Sequence, residues 1–400
     1  MKTNVAVFFG GRSVEHEISV LSALQAINAF DSQKYNVIPV YISKEGRWFA
    51  GPELLDIENY KDMKGLEKKT EEVFFKPIYG DFNLYKAKSG LFSKQNPVYE
   101  SIHVVLPVLH GTNGEDGIFE GVLESIGMPF AGCNTLSSAL GMDKIAMKMV
   151  LRKEGIPIVD FVWFTDKDWA KDKEALINKI EKQLGYPVIV KPANLGSSVG
   201  IGRADSQKEL VAKINEAEKF SDRIIVEHCI ENLKEINCSV LGDDEECTPS
   251  ILEEPIKSGE ILSYADKYMG GSKVEGRGMA ASDKRIPADQ PENVTDKIRK
   301  IASDTFKALG CHGVSRVDVM IDEKDGSVYV NEINTIPGSL SYYLWEASGV
   351  SFSELIDRLI KLALKRKREK DRKTFSYDTN IFTMRGGAKG GVKGGVKTKA

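Results

Sequence analysis

Apolar and polar residues alternate along two stretches near the carboxyl end of the chain, residues 314–321 and 328–334. An alternation of period two predicts β-strands that bury one face. An Asp-Gly pair lies between the two stretches and is a strong signal for a tight hairpin turn. The pattern therefore predicts an antiparallel hairpin, in which Val330 and Glu332 share one side of the second strand.

One face of this hairpin is predicted to carry oxygen ligands. A register centred on Asp325 pairs Asp318 with Glu332 and Arg316 with Asn334. Directly paired side chains lie roughly 5 Å apart. Two facing carboxylates repel each other unless a cation lies between them. Hard oxygen ligands without His or Cys suit Mg²⁺, which proteins usually hold jointly with phosphates.

The same face could also stabilise a reacting oxygen, or it could be a solvated surface without a function. Arg316 beside the carboxylates could stabilise an oxyanion or a phosphoryl oxygen. The alternative is an ordinary solvated strand face, on which charged residues are common. The turn at Pro337-Gly338 favours a functional face, because it directs the chain back into the fold.

A strand, a glycine turn and a helix open the chain. Residues 5–9 are apolar, Gly10-Gly11 forms the turn, and the helix is predicted to start near Ser13. This order predicts a doubly wound α/β domain, although the Gly-x-Gly-x-x-Gly spacing of dinucleotide sites is absent. Glu15 falls in the first helical turn, where an acid either stabilises the helix dipole or binds an amine at the strand edge.

A second glycine-rich turn, His110 to Gly117, follows the strand predicted at residues 102–109. Open α/β sheets bind ligands at such strand-to-helix turns. We interpret His110 as a hydrogen-bonded residue at the strand end rather than as a ligand-binding group. Residues 43–100 between the opening unit and this strand show no clear period.

Lysines and acids at predicted strand ends indicate an anion site in the middle of the chain. Lys191 ends an apolar strand and precedes a Gly/Ser loop at residues 196–202, which could hold phosphates by charge and backbone amides. The loop is not a Walker motif, because the lysine precedes the glycines; a plain hairpin turn is the alternative. Lys144 and Lys148 lie on a helix, where a lysine is usually solvated. Glu227 ends another strand and could accept from adenine or ribose, or face solvent.

Two further segments depart from regular patterns. Residues 258–286 form a long glycine-rich stretch of the kind used as active-site lids. The repeated Gly-Gly-Ala/Val-Lys units that begin at Gly386 cannot support a core, so a flexible basic tail is predicted.

Composition narrows the class of protein. A length of 400 residues suggests two or three domains, and 42% hydrophobic with 28% charged residues indicates a globular chain. A net charge of −3 gives no electrostatic case for nucleic acid. None of the five cysteines forms a Cys-x-x-Cys pair, which argues against zinc. No apolar run is long enough for a signal peptide or a membrane span, so a cytoplasmic location is predicted.

Seven segments, taken in order, resemble the ATP-grasp ligases and more closely the D-alanine–D-alanine ligase family. Each segment is weak alone, but together they are specific and extend over residues 1–366. The segments are Gly10 to Ser19, His110 to Gly117, Met142 to Lys144, Lys191 to Gly200, Asp266 to Tyr268, Arg316 to Asp318 and Asn331 to Gly338.

The resemblance implies an ATP-grasp fold with an N-terminal doubly wound α/β domain. The implied divisions are an N-terminal domain at 1–140, a central lid domain at 141–235, a C-terminal metal-binding domain at 236–370 and the tail at 371–400. Members phosphorylate one D-alanine carboxylate with ATP, and the amine of a second D-alanine then attacks the acyl phosphate. The product enters peptidoglycan synthesis. A homodimer is also implied.

The resemblance further implies a role for each matching residue. Glu15 binds the first ammonium, and Ser197 and Tyr268 join it in a hydrogen-bonded set that closes the lid. Arg316 and the Gly338 amide stabilise the tetrahedral oxyanion. The implied nucleotide-binding residues are Lys144, Lys191, Ser198, Glu227, Ile230, Glu235 and Lys267, and the implied ligands of two Mg²⁺ (or Mn²⁺) ions are Asp318, Glu332 and Asn334.

One departure from the family pattern concerns the second substrate. The segment after Gly338, residues 339–345, is about four residues short at the place where the acceptor's carboxylate should bind, and Lys267 offers a cation for that task. A related ligase with D-serine, D-lactate or another acceptor is therefore the main alternative. A nucleotide-binding regulatory protein without catalysis is the other, although it would not need Arg316.

Overall fold

Three β-sheets follow one another along the chain in the computed structural model, which describes residues 2–87, 96–196, 199–256 and 284–377. Helices pack on these sheets, which confirms the predicted α/β class. Ser197, Ser198, Lys267 and Tyr268 lie outside the described residues, as do most of the predicted lid and tail. Every helix in the described ranges is too short or too polar to cross a lipid bilayer.

The first sheet has seven strands in the order β6-β5-β4-β3-β2-β1-β7. β1 (Thr3–Gly10) pairs in parallel with β2 (Tyr35–Ile42) and β7 (Val104–Leu109), as a doubly wound opening requires. Four antiparallel strands extend the sheet from the region without a clear period, because each has only three to five residues and shows too few positions for one. These strands are β3 (Trp48–Ala50), β4 (Glu71–Phe75), β5 (Asn83–Lys86) and β6 (Val98–Ser101).

Helices from both ends of the chain cover this sheet. The final helix α11 (Phe352–Asp371) buries Leu355 and Leu359 in the same core as Val5 and Val104. Arg366 of that helix donates to the carbonyls of Phe130 and Gly132 at 2.7 Å each. The other helices that follow first-sheet strands are α1 (His16–Asn28), α2 (Met63–Lys69), α3 (Ile118–Ile126) and α4 (Thr135–Met142).

The second sheet is antiparallel, with four strands in the order β10-β9-β11-β8. The strand predicted to end near Lys191 is β9 (Val188–Pro192), and it forms a hairpin with β10 across the Gly/Ser loop. Val190, Ile224 and Leu210 lie in its core. The remaining elements of this part are α5 (Lys144–Lys153), β8 (Phe161–Thr165), α6 (Asp166–Lys171), α7 (Lys173–Gln183), β10 (Gly202–Ala204), α8 (Gln207–Ala217) and β11 (Arg223–His228).

The third sheet is also antiparallel, with five strands in the order β14-β13-β12-β15-β16. One face packs on α9 (Glu292–Ala308), where Ile298 and Phe306 meet Val317 and Val319. The opposite face carries the predicted ligand residues. The remaining elements are β12 (Leu233–Gly242), β13 (Cys247–Pro255), β14 (Lys284–Arg285), β15 (Gly313–Asp322), β16 (Ser327–Asn334) and α10 (Tyr342–Ala347), with 3-10 turns at Pro52–Leu55, Ile57–Asp62 and Gly338–Ser341.

The β15–β16 hairpin has the predicted pairing at its functional end. Asp318 lies opposite Glu332, and Arg316 lies opposite Asn334. The register shifts by one residue next to Asp318, where Asn331 forms a β-bulge. Pairs nearer the turn follow a different register, so a hairpin without the bulge would set Asp318 opposite Asn331.

The bulge also overturns one prediction about the faces of β16. Val330 pairs with Val319 and lies in the core beneath α9, whereas Glu332 pairs with Asp318 on the opposite face. The two residues therefore do not share a side of the strand, because the extra residue reverses the alternation.

Substitution of Gly313 in β15 and of Gly326 in the hairpin turn can test how closely the first and third sheets pack. Gly313 and Gly326 both have a backbone φ of +74°, but a Cβ at Gly313 would lie 2.9 Å from the backbone of Gly132, whereas one at Gly326 meets no atom within 4 Å. We expect Gly326→Ala to lower the free energy of unfolding by about 1–2 kcal/mol through left-handed strain alone. Gly313→Ala should cost clearly more, because the clash adds to the same strain. Equal losses in denaturant titrations would contradict this close packing.

Candidate active site

The hairpin carboxylates are neutralised by cations from two different elements. Arg316 donates from Nε and Nη2 to the two oxygens of Asp318 at 2.6 and 2.8 Å. Asn334 donates to the same carboxylate at 3.1 Å. Glu332 lies 3.4 Å from the ammonium of Lys144 at the start of α5. The predicted lysine of the second part of the chain thus meets the predicted ligand face of the third sheet.

These oxygen groups have the chemistry that Mg²⁺ requires. Asp318, Glu332 and Asn334 supply two carboxylates and an amide on one strand face, and the two carboxylate side chains are 15% and 22% exposed, which leaves them accessible. Within the described residues, no three His, Cys, Asp or Glu side chains cluster closely enough to hold a metal ion by themselves.

Arg316 retains a donor for another group. Its side chain is only 7% exposed, and among the described residues its Nη1 has no hydrogen-bond partner. Leaving a buried guanidinium donor unsatisfied is costly. A substrate oxygen that gains negative charge would satisfy it.

A buried carboxylate holds two lysines below the Gly/Ser loop. Glu227 lies 2.7 Å from Lys191 and 3.1 Å from Lys148, and all three side chains are at least nine-tenths buried. Burial alone would raise the pKa of Glu227, but the two lysines lower it to about 2. The group keeps one excess positive charge in a region of low dielectric, which favours binding of an anion such as phosphate.

Lys191 connects this group to the hairpin. Burial lowers its pKa, but Glu227, Glu332 and Glu235 outweigh burial and raise it. Its ammonium also donates to Oδ1 of Asn331 at 3.0 Å. The bulge residue therefore joins Lys191 to the strand that carries Glu332.

Two residues of this group were missed from the sequence. Lys148 was interpreted as a solvated helical lysine, although it is fully buried against Glu227. Its spacing of four from Lys144 was an available signal, because such residues share a helix face. Asn331 had no such signal, since the bulge that exposes its side chain depends on tertiary packing.

Of the three residues predicted to bind the nucleoside, two are acids whose charges act on lysines and one is apolar. Glu227 directs its carboxylate to lysines. Glu235 lies opposite Met320 in the sheet, and its charge acts on Lys191. Ile230 packs with Met320 and Val159 in a small apolar cluster next to these charges.

Glu15 lies where the first and second parts of the chain meet. A Cβ at Gly111 would approach its carboxylate to 2.5 Å, and one at Gly196 would approach it to 3.3 Å. Both glycine loops therefore pass directly against this buried acid, and the second continues into Ser197. The sequence predicted both loops as ligand-binding segments but did not predict that they share one carboxylate.

A second acid, Glu115, was missed beside Glu15. Its two oxygens accept from the backbone N–H groups of Gly111 and Ile336 at 2.8 and 3.1 Å. Burial, reinforced by the charge of Glu15, raises the pKa of Glu115 to about 8. A buried acid, Glu15, beside a half-buried acid that is protonated near neutral pH favours a cationic ligand between or beside them.

His110 forms a hydrogen-bonded chain to the turn after β16, as the sequence interpretation expects. Its Nδ1 is 2.9 Å from the carbonyl of Ile336, which only accepts, so Nδ1 carries the proton. Nε2 then accepts from the Ser22 hydroxyl at 2.9 Å, and that hydroxyl accepts from the Ser339 amide at 3.0 Å. Burial lowers the pKa of His110, in agreement with a neutral ring. These hydrogen bonds hold the turn that starts at Gly338 against α1.

Comparisons with known proteins agree with this arrangement. Residues 4–133 match the family described as "D-ala D-ala ligase N-terminus", and residues 150–361 match "D-ala D-ala ligase C-terminus". The chain belongs to the D-alanine–D-alanine ligase family. Its members are ATP-dependent ligases, and the predicted ATP-grasp fold is confirmed.

Individual relatives extend over almost the whole chain. A D-alanine–D-alanine ligase of Thermosipho melanesiensis is 42% identical over 384 residues, which are 96% of this chain and 99% of the relative. The structure of the D-alanine–D-alanine ligase from Coxiella burnetii is 32% identical with a TM-score of 0.77, over 93% of this chain and 96% of that one. The VanG D-Ala:D-Ser ligase from Enterococcus faecalis is 31% identical with a TM-score of 0.76, over 91% and 100%.

The buried ion group can be tested by removing its acid. We expect Glu227→Gln to lower the free energy of unfolding at pH 7 by on the order of 3–5 kcal/mol, because two buried lysines lose their counter-ion. Since the folded pKa of Glu227 is about 2, the stabilisation is present above its ordinary value of 4.5 and lost as pH falls towards 2. The difference between wild type and variant should therefore shrink on acidification. Asp160→Asn, which breaks an exposed pair with Arg152, is the control and should change little.

The raised pKa of Glu115 predicts that stability changes with pH in the opposite direction. A carboxyl whose folded pKa is raised from 4.5 to about 8 binds more protons in the folded state, so stability falls as pH rises between these values. We expect this fall to be smaller in Glu115→Gln. Asn113→Ala removes a hydrogen bond from the same loop without removing a titrating group, and should keep the wild-type slope. Identical slopes in all three proteins would show that Glu115 is ionised throughout.

Proposed function

We propose that this chain is an ATP-dependent ligase that joins two D-alanine molecules into D-alanyl-D-alanine for peptidoglycan precursors. Family membership over nearly the full length supports the reaction. The observation that carries it in this chain is the approach of Lys144 to Glu332 at 3.4 Å, because it brings phosphate-binding charge and metal-binding oxygen together beside Arg316.

Lys144 and Lys191 bind the phosphates of ATP, and the net charge of the Lys148–Lys191–Glu227 group strengthens that binding. The apolar cluster around Ile230, with Glu235 at its edge, receives the nucleoside. Asp318, Glu332 and Asn334 are the residues that would hold two Mg²⁺ or Mn²⁺ ions, and such ions would supply positive charge beside the phosphates. Ser198 and Lys267 complete the nucleotide site by resemblance to the family.

The donor D-alanine lies between the glycine loops. Glu15 binds its ammonium, and a cation at this position also stabilises the ionised form of Glu115. Ser197 and Tyr268 join Glu15 when the lid closes, by resemblance. One donor carboxylate oxygen attacks the γ-phosphorus and ADP leaves, which gives the acyl phosphate.

The acceptor amine then attacks the acyl carbon, the amine loses a proton, and phosphate departs. Charge builds on the acyl oxygen in the tetrahedral intermediate. The Nη1 of Arg316 and the amide of Gly338 are the donors that stabilise it, the first because it is buried and still lacks a partner among the described residues. Positioning and charge neutralisation account for the catalysis.

D-serine is the alternative acceptor. The similarity to a D-Ala:D-Ser ligase is almost as strong as that to the D-alanine–D-alanine ligase of known structure, so overall fold does not separate them. We retain D-alanine because the curated relative at 42% identity carries that name. A cytoplasmic location, a homodimer and domain divisions at residues 140, 235 and 370 also remain our proposals; the second division falls inside β12.

The decisive experiment combines the protein with ATP, Mg²⁺ and D-alanine, alone and in competition with D-serine or D-lactate. Product masses and ADP release should show D-alanyl-D-alanine as the main product. ATP turnover without any ligated product, or a main product containing D-serine or D-lactate, would overturn the proposal.

The hairpin site predicts a specific loss on substitution. Glu332→Gln should reduce turnover by on the order of 100-fold, because charge on the transferring phosphoryl group is no longer balanced. The rise in melting temperature that Mg²⁺ produces in the presence of a non-hydrolysable ATP analogue should also be smaller in this variant than in the wild type. Glu323→Gln, an exposed acid in the turn of the same hairpin, is the matched control and should behave as wild type. Normal metal dependence in Glu332→Gln would place the ions elsewhere.

A further inference from the structure

Two of the five cysteines meet where the first part of the chain packs against the third sheet. Cys133 lies between α3 and α4, and Cys311 lies two residues before β15. Both side chains are buried, with 2% and 1% of their surface exposed. Their thiols form a hydrogen bond with each other. The reaction proposed above uses neither of them.

The two chain segments that carry these thiols are in close contact. The sulfur of Cys133 lies 3.6 Å from the carbonyl oxygen of His312, the residue next to Cys311. A Cβ at Gly313 would lie 2.9 Å from the backbone of Gly132, so the main chains beside the two thiols touch. A disulfide requires such proximity, because the Cα atoms of its two cysteines usually lie about 5–6 Å apart.

Cys133 has the surroundings of a reactive thiol. The hydrogen bond from Cys311 lowers the pKa of Cys133 to about 7, and the positive charge of Arg366 adds to this effect, although burial acts in the opposite direction. The hydroxyl of Ser315 lies 3.6 Å from the same sulfur. The hydrogen bond and burial raise the pKa of Cys311 instead, so it keeps its proton. The pair therefore combines a thiolate near neutral pH, which is the form that attacks oxidants, with a second thiol beside it.

Two other cysteines lack this combination. Burial raises the pKa of Cys238 to about 12. Cys247 is only half-buried, and burial raises its pKa as well. Exposure therefore favours oxidation of Cys247, whereas thiolate character and a neighbouring thiol favour Cys133. Hydrogen peroxide is little larger than water and reaches a buried thiol through local opening of the fold.

We propose that Cys133 and Cys311 form a redox modification site, which a peroxide converts into a disulfide. The Cys133 thiolate attacks one oxygen of hydrogen peroxide, so that an S–O bond forms, the O–O bond breaks and the departing hydroxide takes a proton to become water. The sulfur of Cys311 then attacks the sulfenic acid, so that the S–S bond forms and the S–O bond breaks. Hydroxide leaves with the proton of Cys311 as a second water. The two thiols lose two electrons, and the peroxide gains them.

The disulfide would close a long loop of the chain. The whole second sheet, residues 161–228, lies between the two cysteines. Closing a long loop restricts the unfolded chain and so stabilises the folded one. The inference is independent of the proposed function, because the bond and its effect on stability are measured without any substrate.

Peptide mapping tests the inference directly. The native protein is treated with hydrogen peroxide, then unfolded, alkylated and digested without reduction. Mass spectrometry should find the peptides of Cys133 and Cys311 joined with the loss of two hydrogen atoms, and the other three of the five thiols should remain open to alkylation. The melting temperature should rise by a few degrees on oxidation. Dithiothreitol should reverse both changes.

Controls make the test specific to the folded pair. Cys311→Ser leaves Cys133 without a partner thiol, so peroxide should give no joined peptide and no rise in melting temperature. Cys247→Ser removes a more exposed thiol and should behave as the wild type. Peroxide added in concentrated urea should show no preference for this pair, because the folded structure creates it. The map of the wild type needs no substitution, so the test holds even if Cys311→Ser does not fold.

Three results would overturn the inference. In the first, Cys133 and Cys311 both remain open to alkylation after Cys247 has been oxidised. In the second, Cys133 becomes sulfinic acid without a bond to Cys311. In the third, peroxide raises the melting temperature of Cys311→Ser as much as that of the wild type.

Discussion

One extra residue in a strand decides the arrangement of the whole site. The bulge at Asn331 sets Glu332 opposite Asp318, turns Val330 into the core and leaves the Asn331 amide free to accept from Lys191. The face that carries Asp318 and Glu332, the packing beneath α9 and the link to Lys191 therefore depend on the same local irregularity. A regular strand could satisfy the core or the site, but not both, because its side chains alternate strictly.

The site contains more acids than the reaction itself requires, because its buried cations need counter-charges. A site for a highly charged phosphate needs several cations, but unpaired cations in an apolar interior destabilise the fold before the ligand arrives. Glu227 supplies the counter-charge for Lys148 and Lys191, and Glu332 supplies it for Lys144. Arg316 is paired with Asp318 in the same way, and its buried Nη1 still has no hydrogen-bond partner among the described residues. The acids therefore preserve the fold while the lysines remain charged.

Local sequence predicted the functional pairs of the hairpin because they depend on short-range alternation and a strong turn signal. The pairing of Asp318 with Glu332 was correct, yet the bulge beside it was invisible, since it follows from packing under α9. Lys148 was misjudged because helical position does not reveal which face another sheet will cover. Glu115 was missed for a similar reason: burial and the charge of Glu15 raise its pKa, and its surroundings form only where segments far apart in the chain, such as those of Gly111 and Ile336, meet.

The packing of α11 on the first sheet has a consequence for synthesis on the ribosome. Val5 and Val104 emerge early, but the residues that cover them, Leu355 and Leu359, are among the last of the folded chain to be made. The opening sheet therefore keeps an apolar face uncovered until the residues of α11 have been translated. Although N-terminal domains commonly fold first, this one is completed last, and the nascent chain is prone to aggregation throughout that interval.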